Sequence, residues 1–369
     1  MLPLSSVRLS GVRGCVGACL ANAYQLTAGA SARTAKRVVW EEMSKLLVGC
    51  CSWADKPLID SGKFYPPDAK SAEDRLRYYA GQFPIVEVDS TFYGLPDETT
   101  VRHWIARTPD EFTFNVKAFR AFTGHQTPPK VLAKDQRALL SEEQQEAKTV
   151  YYDKLPQELR DELWRTFNER LLALDSAGKL GAVVFQFPPW FTYARDNFRL
   201  VAHCREMLPL QFTMAVEFRN ALWLAEDTRE RTLSFLRENG LVLVAVDEPQ
   251  GFPSSVPPLA EVTCERLAMV RFHGRNSETW AASARTSAER FDWYYQDEEL
   301  EEWLPRIEQL AEQASEVHLM MNTNRSDQGP VNARRLGRLL RERGLDAGDG
   351  PRGQQLGLAL EVPAGTEER

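Results

Sequence analysis

Seven polar stations recur along this sequence, each at the end of a short apolar run. Five are pairs two residues apart: Glu87 and Asp89, Asn115 and Lys117, Glu217 and Arg219, Arg271 and His273, Asn322 and Asn324. Gln186 and Asp247 close two further runs singly. Residues two apart point to one face of a β-strand. The residues between the pairs, such as Val88, Val116, Phe218 and Phe272, are apolar and would face the other way. Carboxylates set beside cations on one face are suited to general acid–base catalysis. Glu217 beside Arg219 is the best acid or base candidate, because the cation favours its charged form while burial opposes it. Asp247 is the natural second carboxylate. Lys117, Arg219 and Arg271 could hold a phosphate or carboxylate group. His273 could shuttle a proton or simply hydrogen-bond in a pocket wall. Glu217, Asp247, Lys117 and His273 are therefore the expected catalytic residues. Glu87, Asp89, Tyr93, Gln186, Arg219, Arg271, Asn322, Asn324 and Trp53 are expected to contact substrate. The competing reading is that these charges only pair off and fill space. Burial costs several kcal/mol per ion, which makes that an expensive filler.

No cofactor is expected. A magnesium or manganese ion could be bound by Glu87, Asp89, Glu217 and Asp247, whose oxygen ligands suit hard cations. The neighbouring Lys and Arg residues compete with any such ion. A multi-zinc site needs clustered histidines, and of the five only His273 is suitably placed. GxGxxG, the Walker loop, GxSxG and HExxH are all missing, so the common dinucleotide, nucleotide, serine-hydrolase and zincin signatures are excluded.

The elements that must position these residues can be read from the apolar runs. Eight short runs rich in β-branched residues predict strands over 46–50, 85–89, 112–117, 182–187, 212–218, 242–246, 268–273 and 317–321. Helical patterns separate most of them. Leu159, Leu163, Phe167, Leu171 and Leu174 form one stripe at spacings of three and four. Leu233 and Leu236 mark a second, stopped at Asn239-Gly240. Trp303, Ile307, Leu310 and Ala314 mark a third. Eight strands with intervening helices fit a (β/α)8 TIM-type barrel better than a doubly wound sheet. The polar stations would then gather at the C-terminal mouth, where barrel enzymes place their sites. Aromatic residues crowd the loops behind the strands: Trp53, Phe64, Tyr65, Phe92, Tyr93, Trp190, Phe191, Trp223, Trp280 and Trp293 to Tyr295. Flat faces ringed by polar groups suit a sugar or a nucleobase, although many of these rings would serve as packing.

Composition bounds the rest. The 369 residues are 43% hydrophobic, enough for a large core. No run is long and apolar enough for a membrane-spanning helix. The net charge of -7 disfavours broad nucleic-acid binding. The expected partner is a small-molecule substrate. Six cysteines without a CxxC pair read as free thiols in a cytoplasmic protein. Residues 1–40 contain no Asp or Glu and several Arg and Lys, with many Ser, Ala and Gly. Residues 1–42 are read as an extension outside the fold, with Met43 the expected true start and a disordered extension or a targeting segment as the alternatives. Residues 43–345 are read as the barrel domain and 346–369 as a flexible, Gly-rich tail. The long, charged third crossover, residues 119–158, is read as a helical insertion near the mouth that forms a partial lid.

The runs VGCCSW, GKFYPP, IVEVDSTFYGLP, FTFNVKA, FQFPPWF, AVEFRNALW, LVAVDEP, VRFHGR and MMNTN occur in that order. Together they resemble the YecE-like family, the domain of unknown function numbered seventy-two. The resemblance implies a TIM-type barrel. It places the family's motif residues on Glu87, Asp89, Ser90, Thr91, Phe92, Tyr93, Lys117, Gln186, Glu217, Arg219, Asp247, Arg271, His273, Gly274, Asn322 and Asn324. Cys50-Cys51-Ser52-Trp53 departs from the more usual Thr-Ser-Gly-Trp, and Asp89 stands where Asn is frequent. The resemblance implies no reaction. The leading expectation is an enzyme (a hydrolase, lyase or isomerase) acting on a small, polar, anionic substrate such as a sugar phosphate, nucleotide derivative or glycoside. A nucleic-acid phosphodiesterase like the AP endonucleases and a non-catalytic metabolite-binding protein are the alternatives.

Overall fold

The computed structural model describes residues 44–280, 286–348 and 350. Eight parallel strands close into one barrel in sequence order. They are β1 (Lys45–Cys50), β2 (Ile85–Val88), β3 (Thr113–Lys117), β4 (Leu180–Gln186), β5 (Thr213–Glu217), β6 (Val242–Asp247), β7 (Leu267–Phe272) and β8 (Glu316–Met321). Each strand of the sequence analysis is present, with ends moved by two residues at most. β8 pairs with β1 from Lys45 opposite Glu316 to Cys50 opposite Met321, which closes the ring. The strands are buried on both faces, as a parallel sheet covered by helices requires.

The helical stripes lie where their spacing places them. Leu159, Leu163, Phe167, Leu171 and Leu174 are all buried on the helix Gln157–Ser176. Leu233 and Leu236 are buried on Arg229–Glu238, and Gly240 leaves that helix with a φ of 61°. Trp303, Ile307 and Leu310 are buried along Leu304–Ala311 and its N-cap. The third crossover carries the expected helical insertion, built from short pieces. It holds two five-residue helices, Lys134–Ala138 and Glu142–Glu146, and an isolated bridge between Thr127 and Val150. Lys134–Ala138 packs against Gln157–Ser176 on the flank of the barrel, so this helix is no lid over the mouth. The expected extension over 1–42 lies outside the described residues. So does most of the expected tail, of which only 346–348 and 350 are described.

Two layers of polar side chains fill the barrel axis. The lower one is small. Asn115 Oδ1 accepts from the Ala182 amide at 2.9 Å and lies 3.0 Å from His318 Nδ1. Gly181 makes room for it, since a Cβ there would come within 2.6 Å of Asn115 Oδ1. The upper layer lies at the C-terminal mouth and forms the candidate site. Among the described residues no helix is long and apolar enough to cross a membrane.

Candidate active site at the barrel mouth

Register decides which side chains enter the mouth. Gln186 pairs with Glu217, Glu87 with Asn115, and Arg271 with Met320 and Val246. Partners across a ladder share a face, so these positions point inward together. The result is a chain of alternating charges at the mouth. Arg271 Nη2 donates to Glu87 Oε1 at 2.6 Å, and Arg271 Nη1 donates to Glu217 Oε2. Arg219 Nε donates to the other Glu217 oxygen, and its Nη1 donates to Glu248 Oε2 at 3.0 Å. The order is thus Glu87, Arg271, Glu217, Arg219, Glu248. Glu87, Glu217, Arg271 and His273 are fully buried. Arg219 Nη2 also donates to His273 Nε2 at 2.9 Å, while the Asn322 amide lies 2.8 Å from His273 Nδ1. Gln186 Oε1 lies 3.5 Å from Arg271 Nη1. Above this chain, Lys117 Nζ pairs with Asp89 Oδ1 at 3.2 Å, and both side chains are partly exposed.

The three carboxyl groups of the chain are in different electrostatic states. Burial alone would raise Glu217, but Arg219 and Arg271, with His273, outweigh it and hold its carboxyl well below the usual range. Glu87 has only a share of Arg271. Burial pushes it up to about 7, Arg271 opposing the rise and Asp89 adding to it. Glu248 is pushed up to about 8 by burial, against the pull of Arg219 and of the Val256 amide that donates to it at 2.8 Å. His273 is driven down to about 3 by burial and then by Arg219, so it stays neutral and serves as part of the wall. Glu87 Oε2 and Arg271 Nε are buried without a hydrogen-bond partner, so the chain is not self-satisfied.

Most of the expected site residues meet here: Glu87, Asp89, Lys117, Gln186, Glu217, Arg219, Arg271, His273 and Asn322. Asn324 lies at the rim, hydrogen-bonded to Asp55. Tyr93 is 59% exposed at the rim behind β2. Two residues sit elsewhere. Asp247 pairs with Phe272, on the outward face of the barrel. It accepts from Tyr295 Oη at 2.6 Å, from Trp303 Nε1 at 2.6 Å and from Arg275 Nη2 at 2.8 Å. The inward place on this strand belongs to Glu248, one residue later. Trp53 is buried against Trp104 and Phe114, at 6.0 and 6.5 Å between ring centroids, and packs in the helix layer. With Asp247 facing outward and Arg271 engaging Glu87 and Glu217, the four carboxylates proposed for a metal are not brought together. Among the described residues no three His, Cys, Asp or Glu side chains are arranged to hold a metal ion.

Three charged mouth residues escaped the sequence reading. Glu248 follows Asp247 directly, but β6 is buried at every position and shows no alternation that could set its phase. Asp55 lies in the loop after β1, where burial and Asp89 push it up to about 6. Arg120 lies three residues beyond Lys117, with its guanidinium 5.4 Å from the centre of the Phe92 ring. The signal for the last two was their position alone, on loops at the C-terminal ends of strands.

A family profile described as "Protein of unknown function DUF72" matches residues 47–355. The chain belongs to this family. It is similar to the UPF0759 protein YunF of Bacillus subtilis, with 30% identity over 298 residues, covering 80% of this chain and 94% of that protein. It is similar to a solved DUF72 family protein from Thermotoga maritima, with 27% identity and a TM-score of 0.62, covering 80% and 99% of the two chains. A DUF72 family protein from Enterococcus faecalis gives 26% identity and a TM-score of 0.61, covering 74% and 90%. DUF72 membership agrees with the motif resemblance and with the closed barrel, while the chemistry must be argued from the mouth itself.

Proposed function

We propose that this DUF72 protein is an enzyme that moves a proton on a small, polar, anionic substrate bound at the barrel mouth. One observation carries the reading. The buried Glu87 carboxyl has one oxygen on Arg271 and the other without a partner, directly beside Asp89 and Lys117. A carboxyl group that is half-protonated near neutrality can both give and take a proton. Glu217, held ionised, keeps Arg219 and Arg271 in place and sets the field around Glu87. Lys117 and Arg120 supply positive charge at the rim for an anionic group. Arg120 is half-buried, and its Nε has no hydrogen-bond partner.

A thermal-shift panel of sugar phosphates, nucleotides, glycosides and their uncharged counterparts tests this reading. A ligand at ~100 times its Kd adds ~2.7 kcal/mol of stability, a shift of several degrees. Anionic compounds should raise the melting temperature and their neutral counterparts should not. NMR of the best ligand over time should show product with the wild type and none with Glu87→Gln. Equal shifts from neutral compounds, or full turnover by Glu87→Gln, would overturn the proposal.

A further inference from the structure

The rim behind β2, β3 and β4 sets a cluster of rings around the two cations that face an anionic group. Phe92 is its centre. Lys117 Nζ lies 5.1 Å and Arg120 Cζ 5.4 Å from the middle of that ring. The His125 ring stands edge-on to it at 4.9 Å and the Tyr93 ring at 5.1 Å. Trp190 stands edge-on to His125 at 5.6 Å. Tyr93 and Trp190 are 59% and 62% exposed, the two most exposed rings among the described residues.

Their exposure does not come from loose supports. The turn carrying Tyr93 is tied by Thr91 Oγ1, which donates to the carbonyls of Val88 at 2.8 Å and Lys117 at 2.6 Å. The turn carrying Trp190 is tied by Asn220, which donates to the Pro189 carbonyl at 2.8 Å, and by Phe191, stacked on Phe187 at 4.2 Å. Rigid turns that hold large rings in water lose little entropy when a ligand arrives. The local potential is positive. Burial, Lys117 and Arg120 together drive His125 down to about 3, and among the described residues the one acid pairing with these cations, Asp89 on Lys117, is shared with Arg271.

We propose that this cluster is a subsite for a phosphomonoester whose sugar also bears a flat ring, the chemistry of a nucleoside monophosphate. The phosphate sits at Arg120 and Lys117, and the ring lies on Trp190 and Tyr93. The guanidinium of Arg120 offers the forked donors that phosphate accepts. An exposed indole gives a base a stacking face whatever its sequence identity. The inference rests on the anionic-substrate reading and narrows it.

Calorimetric titration of the full chain with AMP, UMP, adenosine, ribose 5-phosphate and inorganic phosphate tests it. AMP and UMP should bind at least about tenfold more tightly than ribose 5-phosphate and than adenosine, a preference of ~1.4 kcal/mol. Trp190→Ala should bring AMP down to the level of ribose 5-phosphate. Arg120→Met should bring it down to the level of adenosine. Both variants should melt near the wild type, because one ring is mostly in water and the other side chain is half-exposed. Should AMP bind as described without ever being converted, the subsite stands and the proton-transfer reading fails. Should ribose 5-phosphate bind as well as AMP, with Trp190→Ala neutral, the subsite is overturned and the anionic reading stands. Absence of binding by both nucleotides overturns it as well.

Discussion

Glu217 is the residue on which the mouth turns, yet its role is not the one its neighbours in sequence imply. Beside a single arginine it reads as an acid or base. Between two arginines and a histidine it is a fixed negative charge. Removing that charge strands two buried guanidinium groups. Glu217→Gln should cost about 3–5 kcal/mol in urea unfolding at pH 7, the range for breaking a buried pair by removing one partner. The pH dependence follows from the depressed carboxyl. Its stabilisation is present above the ordinary value of 4.5 and is lost as pH falls through the lower folded value. The difference between wild type and Glu217→Gln should therefore hold from pH 8 to pH 5 and shrink below pH 4. A variant as stable as the wild type at pH 7 would mean that the arginines find other partners.

At the scale of the elements, Asp247 is placed to tie down the loop after β7. The loop after β7 begins at His273 and brings Trp280, Arg290 and Phe291 toward the mouth. The Trp280 and Phe291 rings lie 5.6 and 5.9 Å from the Arg219 guanidinium. Asp247 holds both ends of that loop. Arg275 grips it from the start, and Tyr295 from the far end, where its hydroxyl also accepts from the Gly274 amide at 2.9 Å. Asp247→Asn should cost about 1.5–3 kcal/mol, since the charge-assisted bonds from Arg275, Tyr295 and Trp303 are weakened while Arg275 keeps its pair with Glu302 at 2.9 Å. Limited proteolysis should then cut the 274–295 loop well before the barrel. Unchanged protection of that loop would dismiss this role. The contrast with Glu248 shows what the sequence could and could not convey. Strand positions were legible from apolar runs, and five polar stations were legible from pairs two residues apart. β6 gave no phase because its six residues are buried on both faces. The third crossover's helical character was legible from its charged, helix-favouring composition, while its break into short pieces and the Thr127–Val150 bridge was not.

The whole molecule depends on closure of the ring, and one glycine shows how tight that closure is. A Cβ on Gly49 would stand 2.1 Å from the Ile85 carbonyl oxygen, inside the β1–β2 ladder. The backbone cannot yield there without opening the barrel. Gly49→Ala should destabilise the fold by about 3 kcal/mol or more, beyond ordinary overpacking, and should abolish ligand shifts with it. A normal melt for this variant would show a looser ladder. Closure also explains why the mouth chain forms at all. Glu87, Glu217, Glu248, Arg219 and Arg271 come from four strands or the residues just after them, up to 184 positions apart. Only a closed parallel barrel brings those C-terminal ends together. The sequence contained each residue and most of the facing rule. Which guanidinium binds which carboxylate depends on register, and no single run encodes register.

The central claim is that Glu87 exchanges its proton near neutrality while Glu217 stays ionised. Carbon-13 NMR of side-chain-labelled glutamate, followed from pH 3 to pH 9, reads both groups directly. Beside the Glu248 carboxyl, which titrates at about 8, the expected spectrum has one buried carboxyl that is protonated below and ionised above about 7 and vanishes in Glu87→Gln. A second should be lost only in Glu217→Gln and remain ionised well below 4.5. A Glu87 resonance that titrates at the ordinary value of 4.5 would contradict the account.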